Sequence, residues 1–188
     1  LAFYDMVPVL SWLFLKGRCR YCRAPVSIQY PAVELLTTSA FLLCLLAKGP
    51  GMESALMCMF SSILITAAFI DARHMYIPDG IHILILILCC ISLAAGSGPA
   101  IINRLGGSLL AGGFLALVNL LSRGGVGWGD VKLFAASGLL IGAAPAITAL
   151  LMGYVAAGLW YAVPLVRGRV GRKTQIPMAP FFAVSLMV

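Results

Sequence analysis

Two aspartates stand where a strongly apolar chain has least reason to place them. Asp130 follows a glycine-rich stretch, GGVGWGDVKL (Gly124–Leu133), and opens an apolar run; Asp71 closes another, LITAAFID. Two carboxylates that approach each other share a proton, because both cannot ionise cheaply. The ionised member can then take a proton from an attacking water, and the protonated member can polarise a scissile carbonyl. That is the chemistry of aspartic proteolysis. The two settings differ. A helix N-terminus favours the charged form of Asp130, whereas a helix C-terminus and partial burial disfavour that of Asp71. Taken singly, Asp130 also reads as an N-cap after a glycine turn, and Asp71 as a surface acid paired with Arg73 or His74.

Other residues near this pair could assist. Gly127 and Gly129 permit unusual backbone angles and the close approach of a bound peptide. Lys132 could hold a carboxylate or a substrate carbonyl, although a snorkelling lysine is the commoner case. Asp79, in Pro78-Asp79-Gly80, reads as a turn or cap residue before a helix. Glu34, in PAVELL, is an acid entering an apolar helix. It suits substrate positioning or methyl transfer, or it is simply a first-turn acid after Pro31. Cys19 and Cys22 form a Cys-x-x-Cys pair in a basic setting, while Cys44, Cys58, Cys89 and Cys90 lie in apolar runs where a small, soft side chain packs.

The elements that must position these groups are membrane helices. Of 188 residues, 62% are hydrophobic and only 10% charged, too little polar surface for a soluble domain of this size. Apolar runs predict helices near 33–47, 54–70, 81–96, 105–122, 131–145 and 146–166, with another from about 178 onward. The expected fold is an all-α polytopic transmembrane bundle of six to seven membrane helices. Both ends read as cut from a longer chain, since the sequence starts at Leu1 and stops at Val188 inside an apolar run. Residues 1–32 read as a cytoplasmic segment carrying the Cys-x-x-Cys pair and 33–188 as the transmembrane domain that holds the two acids.

Eleven of the 13 basic residues fall in one alternating set of connections: Lys16, Arg18, Arg20, Arg23, Arg73, Arg123, Lys132, Arg167, Arg169, Arg172 and Lys173. Only Lys48 and Arg104 fall in the other. The positive-inside rule makes the rich side cytoplasmic, and a basic face beside anionic lipid accounts for the net charge of +7 without nucleic acid. Asp71 and Asp130, 59 residues apart in sequence, are thereby set at one depth on that side.

Three segments, IDARHMYIPDG (Ile70–Gly80), GWGDVKL (Gly127–Leu133) and Tyr4–Thr37, resemble those of type IV prepilin leader peptidases in the same order. The resemblance implies a bacterial inner-membrane aspartic endopeptidase of the GxGD type. Asp71 and Asp130 would be its catalytic pair, and prepilins and pseudopilins its substrates, cut after a glycine that follows a short basic leader. It also implies methylation of the new N-terminus from S-adenosylmethionine and a zinc site built from two Cys-x-x-Cys pairs. Only Cys19 and Cys22 are present here, and a closed zinc site needs four ligands. A second departure is Ile176-Pro177-Met178-Ala179-Pro180, which keeps two prolines of the family's Pro-Phe-Gly-Pro segment but not its glycine. From a different class, a proton-coupled transporter or channel also uses intramembrane acids and glycine-broken helices. Against it, both acids lie at one surface and no inverted repeat is evident.

Overall fold

The computed structural model describes residues 9–166 and 177–187. Among them the regular structure is helical, apart from one isolated antiparallel bridge, Arg18 to Pro25. A short helix α1 (Leu10–Phe14) leads into a basic turn, and α2 (Gln29–Lys48) and α3 (Met52–His74) follow as an antiparallel pair. Gly49, at φ 71°, ends α2. Across the turn Lys48 pairs with Glu53 at 2.7 Å, and Ser54 Oγ accepts from Gly51 N at 3.0 Å, satisfying an otherwise free donor at the start of α3.

Helix α3 stops at left-handed Met75, and the short link through Tyr76 and Ile77 to extended Pro78 turns the chain into α4 (Asp79–Ala94). Next comes one continuous rod: α5 (Ile101–Gly107), a π-helical segment Ser108–Gly113, and α6 (Phe114–Leu121). Helix α7 (Trp128–Ile141) runs back through the middle of the bundle, and Gly142, at φ 90°, separates it from α8 (Ala143–Val166). Helix α9 (Ala179–Met187) packs on α8 and α3.

The core gathers around α7, where Leu133, Phe134, Ser137 and Leu140 are fully buried against Leu64, Ile85, Leu115 and Phe182. Backbone meets backbone on one side of it. A Cβ on Gly107 would lie 2.5 Å from the Gly138 carbonyl oxygen, and one on Gly112 would lie 2.6 Å from Ala135 Cβ. Small residues substitute close packing for the hydrophobic drive that lipid does not supply. The outward faces carry Leu42, Leu43, Leu46, Leu109, Leu117, Leu121, Leu151 and Leu159 in the open. In water such a surface would aggregate; in a bilayer it faces acyl chains.

The bundle is an all-α, multi-pass membrane protein, but the expected count of six to seven spans is not confirmed among the described residues. Among the described residues, four helical rods are long and apolar enough to cross: Gln29–Lys48, Met52–His74, Ile101–Leu121 and Ala143–Ala162. Helices α4 and α7, of 16 and 14 residues, reach only about 24 and 21 Å, short of the roughly 30 Å of a hydrocarbon core. Pro78 and Gly142 set those limits. The boundary expected at 145/146 therefore lies at Gly142.

Helix direction gathers the start of α2, the end of α3 and the starts of α4, α7 and α9 at one end of the bundle. Arg73 and Lys132 lie there, while Arg167, Arg169, Arg172, Lys173, Ile176 and the stretch Tyr4–Pro8 lie outside the described residues. At the other end Arg104 is not the loop cation expected from the sequence. It is 2% exposed, and its guanidinium donates to the carbonyls of Ser97 (2.6 Å), Pro99 (2.9 Å), Leu139 (3.2 Å) and Leu140 (3.4 Å) and to Ser92 Oγ (2.8 Å). Two of these carbonyls end α7, where a helix dipole welcomes a cation.

Candidate active site

Asp71 sits in the last turn of α3 with 7% of its surface exposed. Its Oδ2 accepts a hydrogen bond from the backbone N–H of Ala179, the first residue of α9, at 2.9 Å. The expected pairing with Arg73 or His74 is replaced by this one. Arg73 turns outward to donate to Gln29 Oε1. Asp71 therefore ends one helix but faces the positive end of another, which the sequence reading of a repelling C-terminus did not anticipate.

Asp130 is the third residue of α7. Gly127 is the N-cap, and no side chain caps that helix, so the N-cap reading of Asp130 is corrected. Its carboxylate folds back over Gly127, where an added Cβ would stand 3.3 Å from Oδ2. Gly129 is pressed against Ile77, with an added Cβ 3.2 Å from Ile77 Cβ. The glycines thus allow two close approaches at which even an added methyl would make the Asp130 carboxylate or the Ile77 side chain give way by a few tenths of an ångström. Burial, and then the Asp71 carboxylate, push the Asp130 carboxyl up to about 7. The structure thus brings the two acids within electrostatic reach but reverses their expected contrast, since Asp130 is the one held in its neutral form.

The surroundings fix this turn. Asn119, 2% exposed, ties α6 to the glycine loop; with its amide oriented to suit both neighbours it donates to Val126 O at 2.9 Å and accepts from Trp128 Nε1 at 3.3 Å. Tyr154 of α8 lies within electrostatic reach of Asp130 and packs edge-on against Phe182, with ring centroids 5.2 Å apart. Lys132 does not hold Asp130. It pairs with Asp79 at 2.7 Å, and this ammonium holds the exposed Asp79 carboxyl below its usual range. Asp79 is the first residue of α4 and so belongs to a brace between α4 and α7. His82, Asn119 and Arg104 were not singled out as site or core residues from sequence. An isolated polar residue in an apolar run was the signal available for each.

Glu34 is not brought to the pair. Helix α2 begins at Gln29, which puts Glu34 in its second turn rather than its first, exposed and accepting from Val9 N at 3.1 Å. It lines a groove of about 550 Å³ between α2 and α3 with Tyr30, Thr66, Phe69, Ile70 and Arg73. Asp71 is not among the lining residues. Cys19 and Cys22 lie on the basic turn held by Cys19 N to Ala24 O at 2.9 Å. Among the described residues no group of three or more His, Cys, Asp or Glu side chains could hold a metal ion. Two thiolates do not fit a four-ligand zinc site.

Residues 58–162 match the type IV leader peptidase family, and residues 1–48 match the bacterial peptidase A24 N-terminal domain. The chain belongs to the type IV leader peptidase family. Three of this family member's relatives fix the comparison. A prepilin leader peptidase/N-methyltransferase of Bacillus subtilis is 32% identical over 96% of this chain and 73% of its own length. One of the same name from Aeromonas hydrophila is 33% identical, over 96% and 64%. A type 4 prepilin-like proteins leader peptide-processing enzyme of Escherichia coli is 37% identical, over 96% and 68%. No solved structure matches the chain. The family match spans α7 with its glycine loop and the part of α3 that carries Asp71.

Proposed function

We propose that this leader peptidase family member is an aspartic endopeptidase that removes the leader from type IV prepilin and pseudopilin precursors, with Asp71 and Asp130 as its catalytic pair. The observation that carries the reading is the asymmetry of that pair. Asp71 has a backbone N–H donor and the start of α9 to stabilise a negative charge. Asp130 is part-buried, and its desolvated carboxyl keeps its proton towards neutral pH.

Ionised Asp71 accepts a proton from water as the oxygen attacks the scissile carbonyl carbon. Asp130 gives its proton to the carbonyl oxygen. The resulting diol collapses: the C–N bond breaks, the amine takes the proton held by Asp71, and one diol hydroxyl returns a proton to Asp130, which leaves a carboxylic acid and both acids in their starting forms. Gly124, Gly125 and Gly127 are exposed beside the pair and leave room for an extended peptide backbone. Gly129 and Lys132 serve by shaping the turn. Glu34 and its groove lie along the approach between α2 and α3, where they would hold the substrate away from the cut.

The basic residues at the aspartate end support a cytoplasmic-membrane location with that end inward. The N-terminal domain match and the names of the relatives support a second step, in which S-adenosylmethionine supplies a methyl group to the new N-terminus.

The test is mass spectrometry of a prepilin co-expressed with this protein. Loss of the leader supports the peptidase, and an added methyl supports the transferase. An intact precursor, with the protein present in the membrane, would refute the reading.

A further inference from the structure

His82 lies one turn into α4, and its side chain is 7% exposed. Its Nε2 is 3.1 Å from the carbonyl oxygen of Gly129, the residue before Asp130. A carbonyl oxygen can only accept, so the imidazole proton resides on Nε2. The other nitrogen, Nδ1, is buried without a hydrogen-bond partner and stands 3.7 Å from Asp79 Oδ1. That same Asp79 oxygen takes the Lys132 ammonium at 2.7 Å. The start of α4 therefore grips the first turn of α7 on both sides of Asp130, through Gly129 and through Lys132. Ile77 closes the third side by packing on Gly129.

We infer that His82 is a positioning residue, which fixes the Gly129 peptide and with it the direction in which Asp130 meets Asp71. The inference rests on the peptidase reading above only for its kinetic readout. Geometry at a reacting pair is costly to loosen, because a displacement of about 1 Å can cost on the order of 100-fold in rate. Fixing the turn requires one donor at the Nε2 position, and Nδ1 contributes no bond. A glutamine, whose amide N–H reaches a similar point, should therefore replace the histidine. An alanine should not.

The charged and titratable groups facing His82 are Asp79 of its own helix and Lys132 of α7. Both are retained in the test. Full-length wild type, His82→Ala and His82→Gln are compared in detergent on a prepilin peptide. The expected result is a fall in kcat of about tenfold or more for His82→Ala with KM changed less than about twofold, a displaced alkaline limb of its pH profile, and recovery of both in His82→Gln.

Hydrogen–deuterium exchange of the peptide spanning 127–133 gives a readout independent of cleavage. It should quicken in His82→Ala and return to the wild-type rate in His82→Gln. Unchanged exchange in His82→Ala, or no recovery of exchange in His82→Gln, overturns the inference. If wild type cleaves nothing, the peptidase reading fails and exchange alone decides the role of His82.

Discussion

The carboxylate of Asp71 accepts a hydrogen bond from the N–H of Ala179, 108 residues further along the chain. That contact joins α3 to the start of α9 and gives one of the two acids a donor suited to a negative charge. Asparagine at position 71 retains an oxygen that can accept from Ala179, so it should preserve the packing while removing the base. Asn at 130 likewise removes the proton that polarises the carbonyl. Asp71→Asn and Asp130→Asn should each lower leader cleavage by at least about 100-fold, the lower range for loss of a general acid or base. Immunoblots of membranes should show wild-type amounts of both variants. Near-normal cleavage by either would remove that residue from the mechanism.

The proton on Asp130 sets a pH dependence. With that carboxyl raised to about 7, turnover should decline as pH rises through about 7 and the acid loses its proton. The apparent value read from the rate profile belongs to the pair. Stability should follow the same sign. The folded-state value stands above the ordinary 3.8, so the fold prefers the protonated acid. That contribution is complete below 3.8 and is lost as pH rises towards about 7. Melting temperatures in detergent across that range should fall for wild type, and the slope should flatten in Asp130→Asn.

Much of this architecture was legible from composition and punctuation. Apolar runs between glycines, prolines and charges placed each main helix to within a few residues, because in lipid a spanning segment must satisfy its own backbone. The same reading brought Asp71 and Asp130 to one end of the bundle, since helix alternation fixes depth. It missed what depends on contacts between distant segments. Burial of the Asp130 carboxyl beside Asp71 reversed the expected electrostatic order of the two acids, and no local pattern encodes which helices will close over a side chain. Arg104 was counted as a loop cation, because burial of a guanidinium among carbonyls depends on how α4, α5 and α7 meet. Six to seven spans are not confirmed among the described residues, where α4 and α7 are apolar but short.

Arg104 should prove a main support of the end of the bundle away from the aspartates. Its guanidinium satisfies carbonyls from the 97–99 turn and the end of α7. Arg104→Met keeps apolar bulk but takes the guanidinium from the Pro99 and Leu140 carbonyls and leaves those of Ser97 and Leu139 with only Ser92 Oγ and Cys89 Sγ, at about 1–3 kcal/mol for each acceptor left unpaired. A loss of at least about 3 kcal/mol is expected. Arg104→Lys should recover only part of it, because one ammonium cannot reproduce the planar fork. Unfolding midpoints in mixed detergent give the comparison, and a midpoint for Arg104→Met equal to wild type would show that water replaces the side chain there.

The backbone contact between Gly107 and Gly138 predicts a sharp contrast among glycines of neighbouring helices. A methyl group on Gly138 would lie 2.4 Å from the Gly107 carbonyl carbon, with backbone rather than a movable side chain in the way. The two rods must separate to admit it, and α7, which carries Asp130, must shift with them. Gly113, in the adjoining π-helical segment, has nothing within 4 Å of an added Cβ. Gly138→Ala should therefore cost about 2 kcal/mol or more, in the range for overpacking a core, and lower cleavage as the turn at Asp130 moves. Gly113→Ala should be neutral or stabilising by up to about 1 kcal/mol, because alanine favours a helix over glycine. Measuring unfolding midpoints and cleavage rates for both variants separates close packing from a general intolerance of side chains along this helix pair, and equal effects at the two positions would contradict it.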